Sequence, residues 1–309
     1  MSLPIITPEI EPHLDWHALL EALDAGHRMA RPQMDDTFLY RGADTLLSRA
    51  AWIDGMGALV KTATVFPGNP ARGLAAVNGA AALYSDRDGQ LEALVDFHLL
   101  TKWKTAGDSL FAASLLARPD SRNITLVGAG TVAYAMMDAY RAVFPDPRFT
   151  VWSRSFDSAA RFARDLPGVQ AEADLQRAVE GADIICTATM ARDPVVRGDW
   201  LQPGQHLDLI GAFRPDMREV DDVALTRAAL FVDSRHTVLD HIGELKDPLA
   251  RGVITCDDVL ADFQDIADGA FRRPAAEAIT ICKNGGGAHL DLMVARYILG
   301  VWQARRPDL

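Results

Sequence analysis

Ile124-Thr125-Leu126-Val127-Gly128-Ala129-Gly130-Thr131-Val132-Ala133 is the stretch on which the reading of this chain turns. An apolar run enters a Gly-x-Gly-x-x-Ala turn, and a helix-like segment follows. Gly128 permits a tight turn, Gly130 lets the backbone come close to a pyrophosphate, and Ala133 allows a helix to lie close on the strand. The N-terminus of that helix then turns N–H groups toward negative phosphates. Gly128, Ala129, Gly130, Thr131 and Val132 are therefore the first candidate contacts for a dinucleotide.

The next strand-like segment ends at Val151-Trp152-Ser153-Arg154-Ser155, about twenty residues on, where a site for NAD places Asp or Glu against the ribose diol. No acid is present. Arg154 suits a 2′-phosphate, and Ser153 and Ser155 add hydroxyl donors. The expected cofactor is NADP, with NADPH preferred and NAD possible. Thr187 and Ala188, at the end of a later strand, complete the candidate cofactor contacts.

Outward from the turn, strands are expected at Phe149–Ser153, Ile184–Thr187, His206–Ile210 and Leu230–Asp233. Helices are expected at 131–143, 156–166, 174–180 and 220–228. Alternating strands and helices argue for a Rossmann-type, doubly wound parallel sheet with right-handed crossovers. Residues 37–100 read differently. Short strand-like runs at Phe38–Tyr40, Ala58–Val60, Thr62–Phe66, Ala80–Tyr84 and Leu91–Val95 are divided by turn signals such as Pro67-Gly68-Asn69-Pro70 and Asp86-Arg87-Asp88-Gly89. Residues 13–31 and 104–116 show helical spacing, and a helix is expected from Ala288 to Gln303. The fold class is α/β: a dinucleotide-binding domain at 118–287, and an α+β substrate-binding and dimerisation domain made of 1–117 with 288–309.

A net charge of −11 disfavours nonspecific binding to nucleic acid or to an anionic membrane, and no apolar run approaches the ~20 residues of a bilayer span. The N-terminus lacks the basic start and apolar core of a signal peptide. Cys186, Cys256 and Cys282 are widely spaced and read as buried free thiols of a cytoplasmic protein. No spacing of His, Cys or acids suggests a metal, and His98, His206, His236, His241 and His289 read as surface or satisfied polar residues.

Further segments carry a family resemblance. They are Val60-Lys61-Thr62-Ala63-Thr64-Val65-Phe66-Pro67-Gly68-Asn69-Pro70, Leu100-Thr101-Lys102-Trp103-Lys104-Thr105-Ala106, and Gly211-Ala212-Phe213-Arg214-Pro215-Asp216-Met217-Arg218-Glu219. Val232-Asp233-Ser234, Lys283-Asn284-Gly285-Gly286 and Asp291-Leu292 complete the set. In order and spacing, and with the cofactor turn, the chain resembles the ornithine cyclodeaminase/mu-crystallin family. The resemblance implies a homodimer built through the N-terminal domain, a cleft between two domains, and a small amino or imino acid as substrate. It makes Lys61 a substrate-contacting lysine and gives Lys104 the place of an arginine that holds the substrate carboxylate. Lysine there brings charge without a planar two-pronged grip. Arg41 stands where the family often has another basic contact, and Asp291 is matched and expected beside the cleft. Phe213 stands where cyclodeaminases carry an aspartate that acts on the amine, which disfavours ornithine cyclodeamination. Glu219 is common to the wider family.

The leading expectation is an NAD(P)H-dependent reductase of a small imino acid, such as the cyclic Δ1-pyrroline-2-carboxylate. Lys61 is its catalytic general acid, and Lys104 and Arg41 hold the carboxylate. Two alternatives stay open. One is an ornithine cyclodeaminase or amino-acid (alanine) dehydrogenase; the other is a nonenzymatic, NADPH-gated binding protein of mu-crystallin type.

Overall fold

The computed structural model describes residues 3–305. In chain order the elements begin with β1 (Ile5–Ile6), α1 (Trp16–His27), β2 (Gln33–Arg41), β3 (Asp44–Ile53), β4 (Gly57–Val65), β5 (Val77–Tyr84), β6 (Leu91–Asp96) and α2 (Phe97–Leu116). The alternating series follows: β7 (Asn123–Val127), α3 (Thr131–Val143), β8 (Arg148–Trp152), α4 (Phe156–Asp165), β9 (Val169–Ala171), α5 (Leu175–Glu180), β10 (Ile184–Thr187), β11 (His206–Leu209) and α6 (Asp222–Arg227). It ends with β12 (Ala229–Val232), α7 (Arg235–Val238), α8 (Gly243–Ala250), β13 (Val259–Ala261), β14 (Thr280–Lys283) and α9 (Ala288–Ala304).

The chain forms two compact units. Unit 1 takes the residues up to Lys104 and those from Gly287 onward; unit 2 is Thr105–Gly286. The first break falls inside α2 instead of at 117, and the packing of that helix explains it. In its first half, Trp103 stacks on Trp16 with ring centroids 3.9 Å apart, and its indole N–H donates to Glu11 at 2.9 Å. In its second half, Asn284 Nδ2 donates to Ser109 Oγ at 3.1 Å, and Phe111 meets Phe263 edge-on.

Unit 1 is a six-stranded sheet in the order β1-β6-β5-β4-β3-β2, antiparallel except for the β1–β6 pair. Along β4 every second residue is buried, so Leu59, Lys61 and Ala63 share the core face. Asp15 caps α1 by accepting from the Ala18 N–H at 2.9 Å. Near its other end, Gly26 makes room for α9, because a Cβ there would meet the Met293 sulfur at 2.7 Å.

Unit 2 is an all-parallel sheet in the order β13-β12-β14-β11-β10-β7-β8-β9. Strand order reverses between β7 and β10, the position at which doubly wound sheets bind ligands. Its central strands are buried on both faces; β7 and β10 are correspondingly apolar, while β11 also buries His206 and Asp208. β8, β10, β11 and β12 and the helices α3 to α6 lie within a residue or two of expectation, whereas β9 was not expected. β14, seated between β11 and β12, has no counterpart in the sequence reading, and neither does the long β2–β3 hairpin. Cys186 and Cys282 are buried free thiols, but Cys256 is exposed because it opens a short surface turn. Among the described residues no helix is long and apolar enough to cross a membrane.

Candidate active site

Lys61 occupies a core position of β4 and is buried, so its charge must find partners. Its Nζ donates to Asp291 Oδ1 at 2.7 Å and to Thr101 Oγ1 at 2.9 Å, and lies 4.8 Å from the centre of the Phe97 ring. Asp291 sits in the first turn of α9, where the helix dipole favours a negative charge, and is fully buried. Phe97, Thr101 and Lys104 follow one another along α2 at i, i+4 and i+7, which sets them on one stripe of the helix. Lys104 is buried and bears electrostatically on both Lys61 and Asp291.

A third cation joins them. Arg49 stands directly across from Lys61 in the β3–β4 register and therefore on the same face. Its Nη1 is 3.9 Å from Asp291 Oδ2, and its Nη2 is held by Asp36 Oδ2 at 2.7 Å. Burial lowers the pKa of the Lys61 ammonium below the ordinary lysine range, with Asp291 opposing the shift and Lys104 and Arg49 adding to it. Burial alone would push the Asp291 carboxyl up; Lys61, Lys104 and Arg49 together hold it below the ordinary range. Three cations thus face two carboxylates, leaving the cluster one positive charge in excess.

Arg41 is not part of this cluster. It lies at the tip of the β2–β3 hairpin with its side chain 78% exposed, paired to Asp44 at 2.9 Å and resting on Phe66. Lys104 is the eighth residue of α2 and does not open a helix, because α2 starts at Phe97. Arg49, Thr101 and Phe97 were not singled out in the sequence. For Arg49 a signal existed: the three-residue turn Asp54-Gly55-Met56, taken as a hairpin, pairs Ile53 with Gly57 and so sets Arg49 opposite Lys61.

In unit 2 the turn Gly128–Ala133 follows β7, with Gly128 at φ 121°. The Gly128 N–H donates to the Trp152 carbonyl at the end of β8 (2.8 Å), and the Ala188 N–H donates to the Val127 carbonyl (2.8 Å). A Cβ on Gly128 would meet the Ala188 oxygen at 2.6 Å, whereas one on Gly130 meets nothing within 4 Å. Gly130 caps α3 without any side chain bonding to the helix end; the Ala133 N–H donates to the Gly130 carbonyl at 3.0 Å, which leaves the amides of Thr131 and Val132 for a ligand. Thr131, Val132 and Arg154 are exposed; Ser153 and Arg154 directly follow β8, and Ser155 caps α4. Thr187 ends β10 and Ala188 follows it, so the two sides of the switch point are in contact. These groups fit a dinucleotide: an open backbone cradle, a helix N-terminus, and a cation two residues beyond β8. Phe213, on the loop after β11, is 56% exposed and carries no proton acceptor. Among the described residues no group of three or more His, Cys, Asp or Glu side chains is placed to hold a metal ion.

A sequence profile of the ornithine cyclodeaminase/mu-crystallin family matches residues 50–306. The chain is 52% identical to a Delta(1)-pyrroline-2-carboxylate reductase of Paracoccus denitrificans, over 93% of each chain. It is 33% identical to the ketimine reductase mu-crystallin of Mus musculus, over 79% of this chain and 76% of that one. A solved archaeal alanine dehydrogenase dimer with bound NAD superposes with a TM-score of 0.89 at 28% identity, covering 99% of this chain and 98% of that one. The chain belongs to the ornithine cyclodeaminase/mu-crystallin family.

Proposed function

We propose that this chain is an NAD(P)H-dependent oxidoreductase that reduces the C=N bond of small imino acids, with Δ1-pyrroline-2-carboxylate as the leading substrate. The observation that carries this reading is the buried Lys61–Asp291 pair with Lys104 and Arg49 around it. The excess positive charge suits one carboxylate, which Lys104 and Arg49 bind; arginine supplies the planar grip that lysine lacks. Lys61 donates a proton to the substrate nitrogen as the amine forms, and its lowered pKa favours that transfer. Asp291 and Thr101 fix the direction of the ammonium, so in this reading Asp291 acts on Lys61 and not on the substrate carboxylate. The 52% identical pyrroline-2-carboxylate reductase supports the same substrate class.

The dinucleotide supplies the hydride when bound. Gly128, Ala129, Gly130, Thr131 and Val132 hold its pyrophosphate, and Thr187 and Ala188 flank it from β10. Ser153, Arg154 and Ser155 take a 2′-phosphate, so NADPH is preferred over NADH. The assembly is a homodimer. Its interface uses the edge strand β2, which exposes Phe38, Leu39 and the 74% exposed Tyr40 on consecutive positions, and an apolar edge of that length needs cover.

A spectrophotometric assay tests the reading. Purified protein should oxidise NADPH with Δ1-pyrroline-2-carboxylate and more slowly with NADH, and Arg154→Ala should shrink the kcat/KM ratio of the two about tenfold. No oxidation with cyclic or linear imino acids, or ammonia release from ornithine or alanine as the faster reaction, overturns it. A wild type that prefers NADH overturns the role of Arg154.

A further inference from the structure

We propose that Glu219 is a positioning residue that clamps the loops leaving β10 and β11, and so sets affinity for the dinucleotide without touching it. The proposal rests on unit 2 being the dinucleotide-binding unit. Glu219 is fully buried between β11 and α6. Its Oε1 accepts from the Thr189 N–H at 2.8 Å and the Thr189 hydroxyl at 2.7 Å. Its Oε2 accepts from the N–H groups of Gly211 at 2.8 Å and Ala212 at 3.1 Å. Thr189 belongs to the loop after β10; Gly211 and Ala212 belong to the loop after β11. Four donors converge on one side chain, a set that only a carboxylate can satisfy; an amide would turn an N–H toward N–H groups on one side.

The clamp reaches the cofactor turn through one residue. Ala188 precedes Thr189 and packs on Gly128, at the place where strand order reverses. Gly211 shows how closely the two loops are drawn together, since a Cβ there would meet the Thr189 nitrogen and oxygen both at 2.3 Å. Glu219 is itself fixed from behind. Glu244, buried at the start of α8, accepts from the backbone N–H groups of Glu219 at 2.7 Å and Val220 at 3.0 Å. Lys283, buried on β14, donates to the Leu209 carbonyl at 2.7 Å and the Asn284 carbonyl at 2.8 Å, and its charge offsets the two glutamates. This investment of buried charge serves loop spacing at the carboxyl ends of β10 and β11, which is where a doubly wound sheet binds its ligand.

The test compares wild type, Glu219→Gln and Thr189→Val by fluorescence titration with NADPH and with NADH, amide hydrogen exchange at 188–190 and 211–213, and the denaturation midpoint. Glu219→Gln should weaken dinucleotide binding about tenfold or more, and Thr189→Val, which keeps its N–H, about threefold. Both should speed exchange at Thr189, Gly211 and Ala212 and raise KM for the dinucleotide while leaving KM for the imino acid unchanged. A folded Glu219→Gln that binds NADPH like the wild type, with only its midpoint lowered, overturns the clamp and leaves the proposed function standing. If Glu219→Gln does not fold, unchanged binding by Thr189→Val overturns it instead. A wild type that binds neither NADPH nor NADH overturns both the clamp and the proposed function.

Discussion

The two units build their candidate sites by opposite means. In unit 2 the turn at 128–133 is one contiguous stretch, and its work is done by backbone: an open cradle at Gly130, a helix end, and a glycine at 128 where a Cβ would collide. In unit 1 the site is four side chains from β3, β4, α2 and α9, with Arg49 and Asp291 far apart in the chain. The first kind of site is intolerant of an added atom at Gly128, and among the described residues no ion pair holds its turn together. The second depends on charge held out of water, where an ion pair is strong and an orphaned ion is costly. Substitutions should therefore separate the two units cleanly: losses of dinucleotide binding in unit 2, and losses of chemistry or of imino-acid binding in unit 1.

The largest separation is expected from Lys61→Met. Removing a positioned general acid costs on the order of a hundredfold to ten-thousandfold in kcat, while dinucleotide binding stays at the wild-type level. Stopped turnover with unchanged NADPH titration checks it, and near-wild-type kcat would remove Lys61 from the chemistry. Gly128→Ala should do the converse. Its Cβ would lie 2.6 Å from the Ala188 oxygen at a φ of 121°, so backbone must move. Dinucleotide affinity should fall about tenfold to a hundredfold, and L-proline binding to unit 1, read by calorimetry, should not change.

The same contrast explains what the sequence disclosed. The turn, α3, β8, β10 and the helices up to α6 were legible because their signals are local: an apolar run, a glycine, an acidic cap such as Asp174 or Asp221. β14 was not, because Thr280-Ile281-Cys282-Lys283 is short, has no alternation and ends on a buried lysine that only its neighbours make intelligible. The start of α2 was hidden because β6 passes into the helix without a turn residue; Asp96, which accepts from the Leu99 N–H at 2.8 Å, was the mark of the change. Lys61, Lys104 and Asp291 came from resemblance and converge in the structure. Arg41 did not, because an arginine's place in a hairpin depends on register, and β2–β3 pairs Arg41 with Asp44 at the tip.

Register makes the next prediction. Arg49→Met should raise KM for the imino acid about tenfold, as loss of one charge-assisted bond to a carboxylate does. Arg41→Met should change it less than about twofold, since an exposed pair contributes little. Equal effects would return Arg41 to the substrate site and break the assignment made from the β3–β4 pairing.

The smallest expected effect sets the units against each other by pH. His27 in unit 1 is buried, its Nδ1–H donating to the Leu23 carbonyl at 2.7 Å, and burial lowers its pKa to about 4. The unfolded chain then holds the extra proton between its ordinary 6.5 and about 4, so unit 1 loses stability as pH falls through that window. Glu244 in unit 2 is raised to about 7 by burial and by Glu219, so there the folded chain holds the extra proton between 4.5 and about 7. Its contribution is lost as pH rises through that window and regained on acidification. From pH 7 to about pH 5.5 each group should shift stability by about 1 kcal/mol, with opposite signs. Denaturation midpoints at both pH values resolve this: His27→Gln should lose less stability than the wild type on acidification, and Glu244→Gln should lose more. Matching slopes for the two variants would mean that neither buried group titrates as its surroundings dictate, and that the two units answer acid alike.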